Sequence, residues 1–287
     1  MYRFGFIHST SDNRLSSNRS INLNNLNYEN VEKKLNQNSE ELIKILEYSK
    51  DKNLKTFRLG YCFVPFLSHK LFDMGWLDKL SPIFDKTKER LKDFDIRITI
   101  HPTQYAVLNS TKDEVTYSSL KELEMYFWLL DRLGIEESGT VVIHGGLANG
   151  NKKKATQRLV NTINENSWLQ ERLAIENDEK NFNTKDVIEI CEETSLPIVF
   201  DNYHHQLYES QFNPQDILKT WKNIRPKIHL SSKGDGRFGT HANFVDINDF
   251  FELKNLFGKK LEDIDIIIES KKKELAINKL REDISNT

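Results

Sequence analysis

Cysteines and long apolar runs are scarce in this sequence. Its 287 residues include only two cysteines, Cys62 and Cys191, too few for a disulfide framework, and neither belongs to a CxxC pair. No stretch approaches the ~18 to 20 apolar residues that span a bilayer, and the first residues, MYRFGFIHSTSDNR, lack the apolar segment of a signal peptide. We therefore expect a soluble, cytoplasmic protein with structural cysteines and no membrane partner.

An excess of positive charge is also missing. The chain has 41 lysines and arginines against 43 aspartates and glutamates, a formal charge of −2, which argues against nucleic-acid binding driven by overall basicity. With 38% hydrophobic residues the chain can bury a sizeable core, so disordered and fibrous classes are excluded. Neither a P-loop nor a GxSxG nucleophile motif is present.

Short β-branched runs alternate with longer amphipathic stretches along the chain, a pattern typical of βα units and a parallel sheet. Apolar periodicity predicts helices over residues 39–50, 116–133 and 184–194. The predicted strands number eight and cover residues 2–7, 56–59, 96–100, 140–143, 173–175, 197–200, 227–230 and 264–268.

Eight such strands predict an α/β fold of the (β/α)8 TIM-barrel type, with residues 1–287 as a single domain. An open doubly wound sheet is the competing architecture, but no GxGxxG follows the first strand, and Gly145 and Gly146 come after the fourth. Residues 13–38 contain many asparagines without strong periodicity and are expected to form a loop insertion. We expect the chain to act as a monomer.

Histidines and carboxylates stand at the ends of successive predicted strands. Functional residues of a TIM barrel lie at the carboxyl ends of its strands, where the βα loops converge. One such residue is usually an ordinary loop residue, but the series runs unbroken from the third strand to the eighth, which favours a site. Its members are His101, His144, Glu176, Asp201, His229 and Glu269.

These side chains have the chemistry of a divalent metal site, since imidazoles and carboxylates without cysteine suit zinc or manganese. Three carboxylates and at least five histidines exceed what one ion can coordinate, so several metals are implied, with Glu176 and Asp201 as candidate bridging ligands. Such a cluster activates water and stabilises an oxyanion, as phosphodiester hydrolysis requires. The histidines are His101, His144, His204, His229 and His241, with His69 as a further candidate.

Lys227 precedes His229 by two residues, so both side chains leave the strand on the same side and point into the barrel mouth. Burial beside metals disfavours a cationic amine. The lysine is therefore expected to be neutral, modified or paired with carboxylates.

Eight segments resemble the UV damage endonuclease family of DNA repair enzymes, in the family's order and over nearly the whole chain. The resemblance implies a TIM barrel with a cluster of divalent ions, usually manganese, related to endonuclease IV. It also implies incision of DNA immediately 5′ to pyrimidine dimers, 6-4 photoproducts and abasic sites. The segments are RFGF at 3–6, HPTQYAVLNS at 101–110, VIHGGLANGNKKKA at 142–155, IENDEK at 175–180, FDNYHH at 200–205, PKIHLSS at 226–232, THANFVD at 240–246 and IIESKKKELA at 267–276.

The resemblance also implies residue roles. Glu176, Lys227 and His69 would serve catalysis, with Lys227 carboxylated and His69 near the metals or the scissile phosphate. Gln104 and Tyr105 would probe the damaged site, where unstacking costs less than in intact DNA. The ligands of two or three manganese ions would be His101, His144, Glu176, Asp201, His204, His229, His241 and Glu269.

Further DNA contacts are expected from Phe6, Asn109 and Lys271. The family commonly has tyrosine at the end of the first strand, and Phe6 keeps the ring without the hydroxyl group. Damaged double-stranded DNA is the expected partner. Two other functions stay open: a metal-dependent sugar isomerase or epimerase on a similar barrel, and a lesion-binding protein without catalysis.

Overall fold

The computed structural model describes residues 1–135 and 138–287 of the chain. Its eight strands are β1 (Arg3–Ile7), β2 (Thr56–Leu59), β3 (Arg97–Ile100), β4 (Val141–His144), β5 (Leu173–Glu176), β6 (Ile198–Asp201), β7 (Lys227–Leu230) and β8 (Asp265–Ile268). All pair in parallel and in chain order, and β1 also pairs with β8, which closes the sheet into a barrel. The (β/α)8 prediction is confirmed, and the open sheet is excluded.

Helices cover the outside of the barrel. The described residues form nine α-helices, and none of these combines the length and apolar character needed to cross a membrane. Three short 3-10 helices occupy Leu23–Asn25, Ser167–Glu171 and Gly258–Asp263. The α-helices are α1 (Tyr28–Asp51), α2 (Trp76–Leu91), α3 (Asp113–Arg132), α4 (Lys152–Glu165), α5 (Thr184–Thr194), α6 (Asn202–Leu207), α7 (Pro214–Thr220), α8 (Ile247–Phe257) and α9 (Lys273–Ser285).

Helix α1 begins at Tyr28, so the prediction of one loop over residues 13–38 is wrong for residues 28–38. Asn27 caps the helix by accepting a hydrogen bond of 2.9 Å from a backbone amide of the first turn. The helix buries Val31 and Leu35 on its inner face. Asparagines interspersed with these few apolar residues hide the helical period from sequence inspection.

One of these asparagines, Asn38, is completely buried and connects two loops. Its side-chain amide donates hydrogen bonds to the carbonyl groups of Arg19 at 2.9 Å and Phe63 at 3.0 Å. Its oxygen accepts a bond from the Arg19 amide at 2.9 Å. Helix α1 therefore holds the loop after β1 and the loop after β2, both of which begin at the carboxyl end of the barrel.

Side chains inside the barrel alternate with side chains that face the helices, because successive residues of a strand point to opposite faces. Inside the barrel, Val142, Ala174 and Val199 form a small cluster with Trp221. Phe6 belongs to the much larger apolar cluster that includes the inner faces of the helices. Residues two positions beyond the small cluster continue the inward rows to the barrel mouth.

A buried ion-pair network occupies the amino end of the barrel. The carboxylate of Asp265 is completely buried and accepts hydrogen bonds from Arg3 at 2.7 Å and Arg97 at 3.2 Å. Arg97 also donates to the carbonyl of Ser138 at 2.6 Å, and its guanidinium lies 5.2 Å from the ring centre of Trp221. One carboxylate therefore pairs with two guanidinium groups at this end.

We expect Asp265→Asn to lower the free energy of unfolding by about 3 to 5 kcal/mol, because the buried guanidinium of Arg97 would lose its counter-charge. Urea denaturation monitored by circular dichroism measures this change. Asp263→Asn is the matched control, since Asp263 is 86% exposed and its pair with Arg225 is 3.8 Å long. The control should change stability by less than about 0.5 kcal/mol; equal losses in the two variants would contradict the prediction.

Candidate metal centre

The inward rows of the strands end in a cluster of histidines and carboxylates at the barrel mouth. His144, Glu176 and Asp201 are the last residues of three adjacent strands, β4, β5 and β6. They lie two positions beyond the apolar cluster inside the barrel, so the alternation of the strands turns them inward. The structure thus brings together the six strand-end residues His101, His144, Glu176, Asp201, His229 and Glu269.

Glu176 is the centre of this cluster. Its side chain is 1% exposed, and its two oxygens lie 2.8 Å from His101 Nε2 and 2.7 Å from His229 Nδ1. His204 Nδ1 is 3.6 Å and His144 Nε2 is 3.9 Å from the same carboxylate. Three groups of side chains could each hold a metal ion, and Glu176 belongs to all of them: His101 with His144, Asp201 with His204, and His229 with Glu269.

Several polar atoms of the cluster are buried without a hydrogen bond. Within the part of the chain that the structure describes, no partner is found for His144 Nδ1, Asp201 Oδ2 or His229 Nε2. An unpartnered polar atom costs free energy when it is removed from water, and a bound cation would supply the missing interaction. Nitrogen and oxygen donors without sulfur suit manganese or zinc. These residues therefore fit a divalent metal centre.

The protonation states of three histidines and of Glu176 also suit metal binding. Burial lowers the pKa of His101, His144 and His229, which favours the neutral imidazole. Burial acts to raise the pKa of Glu176, but the surrounding imidazoles, first His229 and His144, hold it well below its ordinary value. Neutral imidazole and ionised carboxylate are the forms that coordinate metals.

Asp201 and His204 interact beside Glu176, with His204 Nδ1 3.8 Å from Asp201 Oδ1. Burial raises the pKa of Asp201 to about 6. For His204, burial acts to lower the pKa, but the facing carboxylates of Asp201, Glu176 and Glu269 raise it to about 9. Asp201 Oδ1 accepts a hydrogen bond of 2.7 Å from the His204 backbone amide, which fixes the first turn of α6. His204 therefore carries a proton at neutral pH that a metal ion would displace.

Two basic residues that line the cavity above the cluster were missed by the sequence prediction, Arg58 and His8. Arg58 hydrogen-bonds through Nη1 to a carboxylate oxygen of Glu269, which His229 Nδ1 approaches at 3.2 Å. His8 follows β1; burial, then Lys273 and Arg58, lower its pKa to about 3. Strand alternation could have identified Arg58, which stands between two apolar residues of β2. His8 directly follows β1, the same strand-end position that identified the other histidines.

An open cavity of about 300 Å³ lies above the cluster. It gives a substrate access to the carboxylates and imidazoles from the carboxyl end of the barrel. Its lining residues are His8, Arg58, Leu59, Gly60, Tyr61, His101, Pro102, His144, Glu176, His204, His241 and Glu269.

His241 and His69 lie outside the three ligand groups that the described residues form. His241 stands at the edge of the cluster, with Nδ1 4.0 Å from Glu269 Oε2. His69 is on the loop after β2, where its ring packs edge-on against Phe66 and its Nδ1 accepts a hydrogen bond of 3.2 Å from the Leu71 amide. The structure thus brings His241, but not His69, close to a carboxylate of the site.

Lys227 is completely buried inside the barrel below the cluster. Its Nζ donates a hydrogen bond of 2.9 Å to Thr99 Oγ1. Burial, followed by the positive charges of Arg58 and Arg97, lowers the pKa of Lys227 well below its ordinary value. The uncharged amine is therefore favoured, which is one of the alternatives expected from the sequence.

The residues predicted to contact DNA divide into two sets. Gln104, Tyr105 and Lys271 are exposed, and Tyr105 is 75% exposed. Phe6 and Asn109 are completely buried, so neither presents surface to a ligand. The prediction that these two side chains contact DNA is therefore wrong. The Phe6 ring points outward from the barrel and packs edge-on against another strand, whereas the Asn109 side chain binds the backbone of the loop after β4.

We expect His204→Gln to remove a pH-dependent contribution to the stability of the metal-free protein. Because the folded-state pKa of about 9 lies above the ordinary 6.5, this contribution is complete below pH 6.5 and disappears as pH rises through 9. The difference in free energy of unfolding between wild type and variant should shrink by up to about 3 kcal/mol across that window. Urea denaturation at each pH in EDTA measures it.

His205→Gln is the control, because burial lowers the pKa of His205 and its stability contribution changes below pH 6.5 instead. A wild-type to His204→Gln difference that stays constant from pH 6.5 to 9 would contradict the assignment of a protonated His204.

Comparison with known proteins identifies the family. The family model described as UV-endonuclease UvdE matches residues 7–287. A Bacillus cereus (strain G9842) protein named UV DNA damage endonuclease is 30% identical over 259 residues, covering 88% of this chain and 82% of that protein. The crystal structure of SacUVDE superposes with a TM-score of 0.87 at 33% identity, covering 98% of this chain and 99% of that one.

More distant solved structures share the fold alone. D-psicose 3-epimerase, solved in the presence of D-fructose, has a TM-score of 0.52 at 13% identity and covers 79% of this chain and 78% of that one. The resemblance seen in the sequence motifs is confirmed by the family model and the nearer relatives. The chain therefore belongs to the UV-endonuclease UvdE family.

Proposed function

We propose that this chain is a DNA repair endonuclease that hydrolyses the phosphodiester bond immediately 5′ to pyrimidine dimers, 6-4 photoproducts and abasic sites in double-stranded DNA. Family membership supports the general activity. The observation that carries the proposal is the buried Glu176 carboxylate, which belongs to three groups of potential metal ligands below an open cavity. A cluster of this kind suits hydrolysis of a phosphodiester.

The cluster is proposed to hold two or three manganese ions. When bound, the ions would supply water that is ionised near neutral pH and positive charge for the phosphate oxygens. Glu176 and Asp201 each offer two carboxylate oxygens and are the candidate bridging ligands. The full set of proposed ligands is His101, His144, Glu176, Asp201, His204, His229, His241 and Glu269.

The chain's own groups prepare this site. The hydrogen bonds from His101 and His229 hold the two oxygens of Glu176 in place. Arg58 orients Glu269 by its hydrogen bond and leaves a guanidinium in the cavity wall, where a phosphate can be bound. Burial of Glu176, Asp201 and His229 keeps these three side chains out of bulk water and strengthens the electrostatic interactions among them.

We extend the proposal to carboxylation of Lys227. An uncharged amine can add to dissolved carbon dioxide, forming a nitrogen–carbon bond and releasing one proton, which leaves a carbamate anion. The low pKa of Lys227 favours the reactive form. Arg58 and Arg97, the cations that contribute to that low pKa, would stabilise the negative charge of the product.

DNA is proposed to lie across the carboxyl end of the barrel. Gln104 and Tyr105 are exposed on the loop after β3 and would fill the space left by displaced nucleotides. Lys271, exposed after β8, would contact the backbone, and His69 would approach the scissile phosphate. Because the overall charge of the chain is −2, the positive charge that attracts the DNA phosphates would be concentrated at this end of the barrel, on Lys271 and the bound ions.

We expect Glu176→Ala to reduce incision more than about a hundredfold while leaving the barrel folded, because the ligand common to all three groups is lost. Wild type and variant would be incubated with a duplex containing one defined lesion, in manganese, magnesium or zinc, and the cut position would be mapped on both strands. Circular dichroism would verify folding.

Glu189→Ala, on the exposed side of α5, is the matched control and should incise like wild type. Incision by Glu176→Ala at a near wild-type rate in manganese would contradict the assignment of Glu176 to a metal centre. A wild type that turns over ketohexoses but leaves every lesion duplex intact would instead identify a sugar epimerase.

We expect Tyr105→Ala to reduce the preference for damaged over intact duplex roughly tenfold, since stacking of one base on an aromatic ring contributes about 1 to 3 kcal/mol. Competition binding with lesion-containing and intact duplexes measures the preference. Metal content by mass spectrometry should not change, because Tyr105 is 75% exposed. Unchanged discrimination would exclude Tyr105 from lesion probing.

A further inference from the structure

Leu147 projects into solvent from the loop after β4, three residues beyond the proposed ligand His144. Its side chain is 51% exposed. Single exposed leucines are common on protein surfaces and need no explanation. This one differs because the backbone that carries it is held rigidly at the carboxyl end of the barrel.

The side chain of Asn109 holds both backbone groups of Leu147. Asn109 Oδ1 accepts a hydrogen bond from the Leu147 amide at 3.1 Å, and Asn109 Nδ2 donates to the Leu147 carbonyl at 3.1 Å. Asn109 is completely buried, and Arg158 of α4 donates to its backbone carbonyl at 2.9 Å. The next residue, Ala148, donates from its amide to Asn181 Oδ1 at 3.2 Å, which adds an anchor from the loop after β5.

Gly146 allows this close approach of the two loops. It has a φ of +86°, and a Cβ atom built there would lie 2.2 Å from Asn109 Oδ1. A side chain at this position would therefore break the contact with Asn109 and strain the backbone.

The loop held by Asn109 also carries Tyr105, four residues earlier. Ala106 and Leu108, between these two residues, are 5% and 1% exposed and anchor the loop in the core. The bidentate contact of Asn109 therefore links the loop of Gln104 and Tyr105 to the loop of Leu147. Rigid anchoring of exposed apolar side chains reduces the entropy that they lose on binding.

We infer that Leu147 enters the base stack of the damaged duplex as an apolar wedge, beside Gln104 and Tyr105, and that Asn109 is the positioning residue that holds both loops in register. The inference rests on the proposed function and adds a specificity residue to it. Apolar side chains inserted at a base step offset part of the cost of unstacking and stabilise a bent duplex. A lesion that already weakens stacking lowers this cost further.

The test uses a duplex with a tetrahydrofuran abasic-site analogue and 2-aminopurine in the opposite strand next to the lesion. For the manganese-loaded wild type, fluorescence should rise on binding, before incision product appears, because the probe base loses its stacking. Leu147→Ala should lose most of this rise and bind the lesion duplex roughly tenfold more weakly. Its affinity for intact duplex should change less than about twofold.

Three variants separate a wedge from a structural role. Leu147→Met keeps a long apolar side chain and should retain the fluorescence rise. Leu256→Ala removes a leucine that is 36% exposed at the end of α8 and should behave as wild type. Asn109→Ala should lose the fluorescence rise while keeping its metal content, and circular dichroism would verify that it folds.

A full fluorescence rise and unchanged lesion preference in Leu147→Ala would overturn the inference, even if Asn109→Ala failed to fold. If the wild type incises the lesion duplex in that case, the proposed function stands and only the wedge is removed. If the wild type neither binds nor incises the lesion duplex, the proposed function itself is contradicted.

Discussion

Charged side chains inside a closed barrel require partners there, and this requirement organises both ends of the molecule. At the amino end, the carboxylate of Asp265 pairs with the guanidinium groups of Arg3 and Arg97. At the carboxyl end, the imidazoles around Glu176 leave several buried nitrogen and oxygen atoms without hydrogen bonds. The charged groups at the amino end thus pair with one another, whereas the imidazoles and carboxylates at the carboxyl end form the donor set of a metal centre.

Lys227 connects these two ends. It is buried two residues before His229 on β7. The positive charges of Arg58 on β2 and Arg97 on β3 repel a proton on its amine and lower its pKa. An amine in that position is favoured as the neutral group, so the middle of the barrel contributes little positive charge to the site above it. Any negative charge introduced on Lys227 would be stabilised by the same two arginines.

Buried asparagines hold the loops at the carboxyl end of the barrel through hydrogen bonds to the loop backbone. Asn38 of α1 holds the loops after β1 and β2, and Asn109 holds the loop after β4 to its own loop after β3. A side-chain amide can donate and accept at once, so one residue satisfies the backbone of a neighbouring loop without introducing charge. Exposed residues such as Tyr105 and Leu147 are thereby presented from fixed backbone.

The strands and most proposed ligands could be predicted because the signals are local. Each strand is a short run rich in apolar or β-branched residues, and His144, Glu176 and Asp201 directly end such runs, so the carboxyl-end rule for TIM barrels places them together. Phe6 and Asn109 could not be assigned in this way. The outward direction of Phe6 depends on the register of β1 in the closed barrel, and the burial of Asn109 depends on a loop that comes much later in the chain.

The sequence by itself determined the fold class, the number of strands, the family and the chemical type of the site, because these follow from local periodicity and from motifs of neighbouring residues. Tertiary structure alone decided that Glu176 is common to three ligand groups and that Arg58 contacts Glu269. It also decided that His69 stands apart and that one buried amide joins two loops. These features depend on distances between residues far apart in the chain, which are defined only once the barrel has closed.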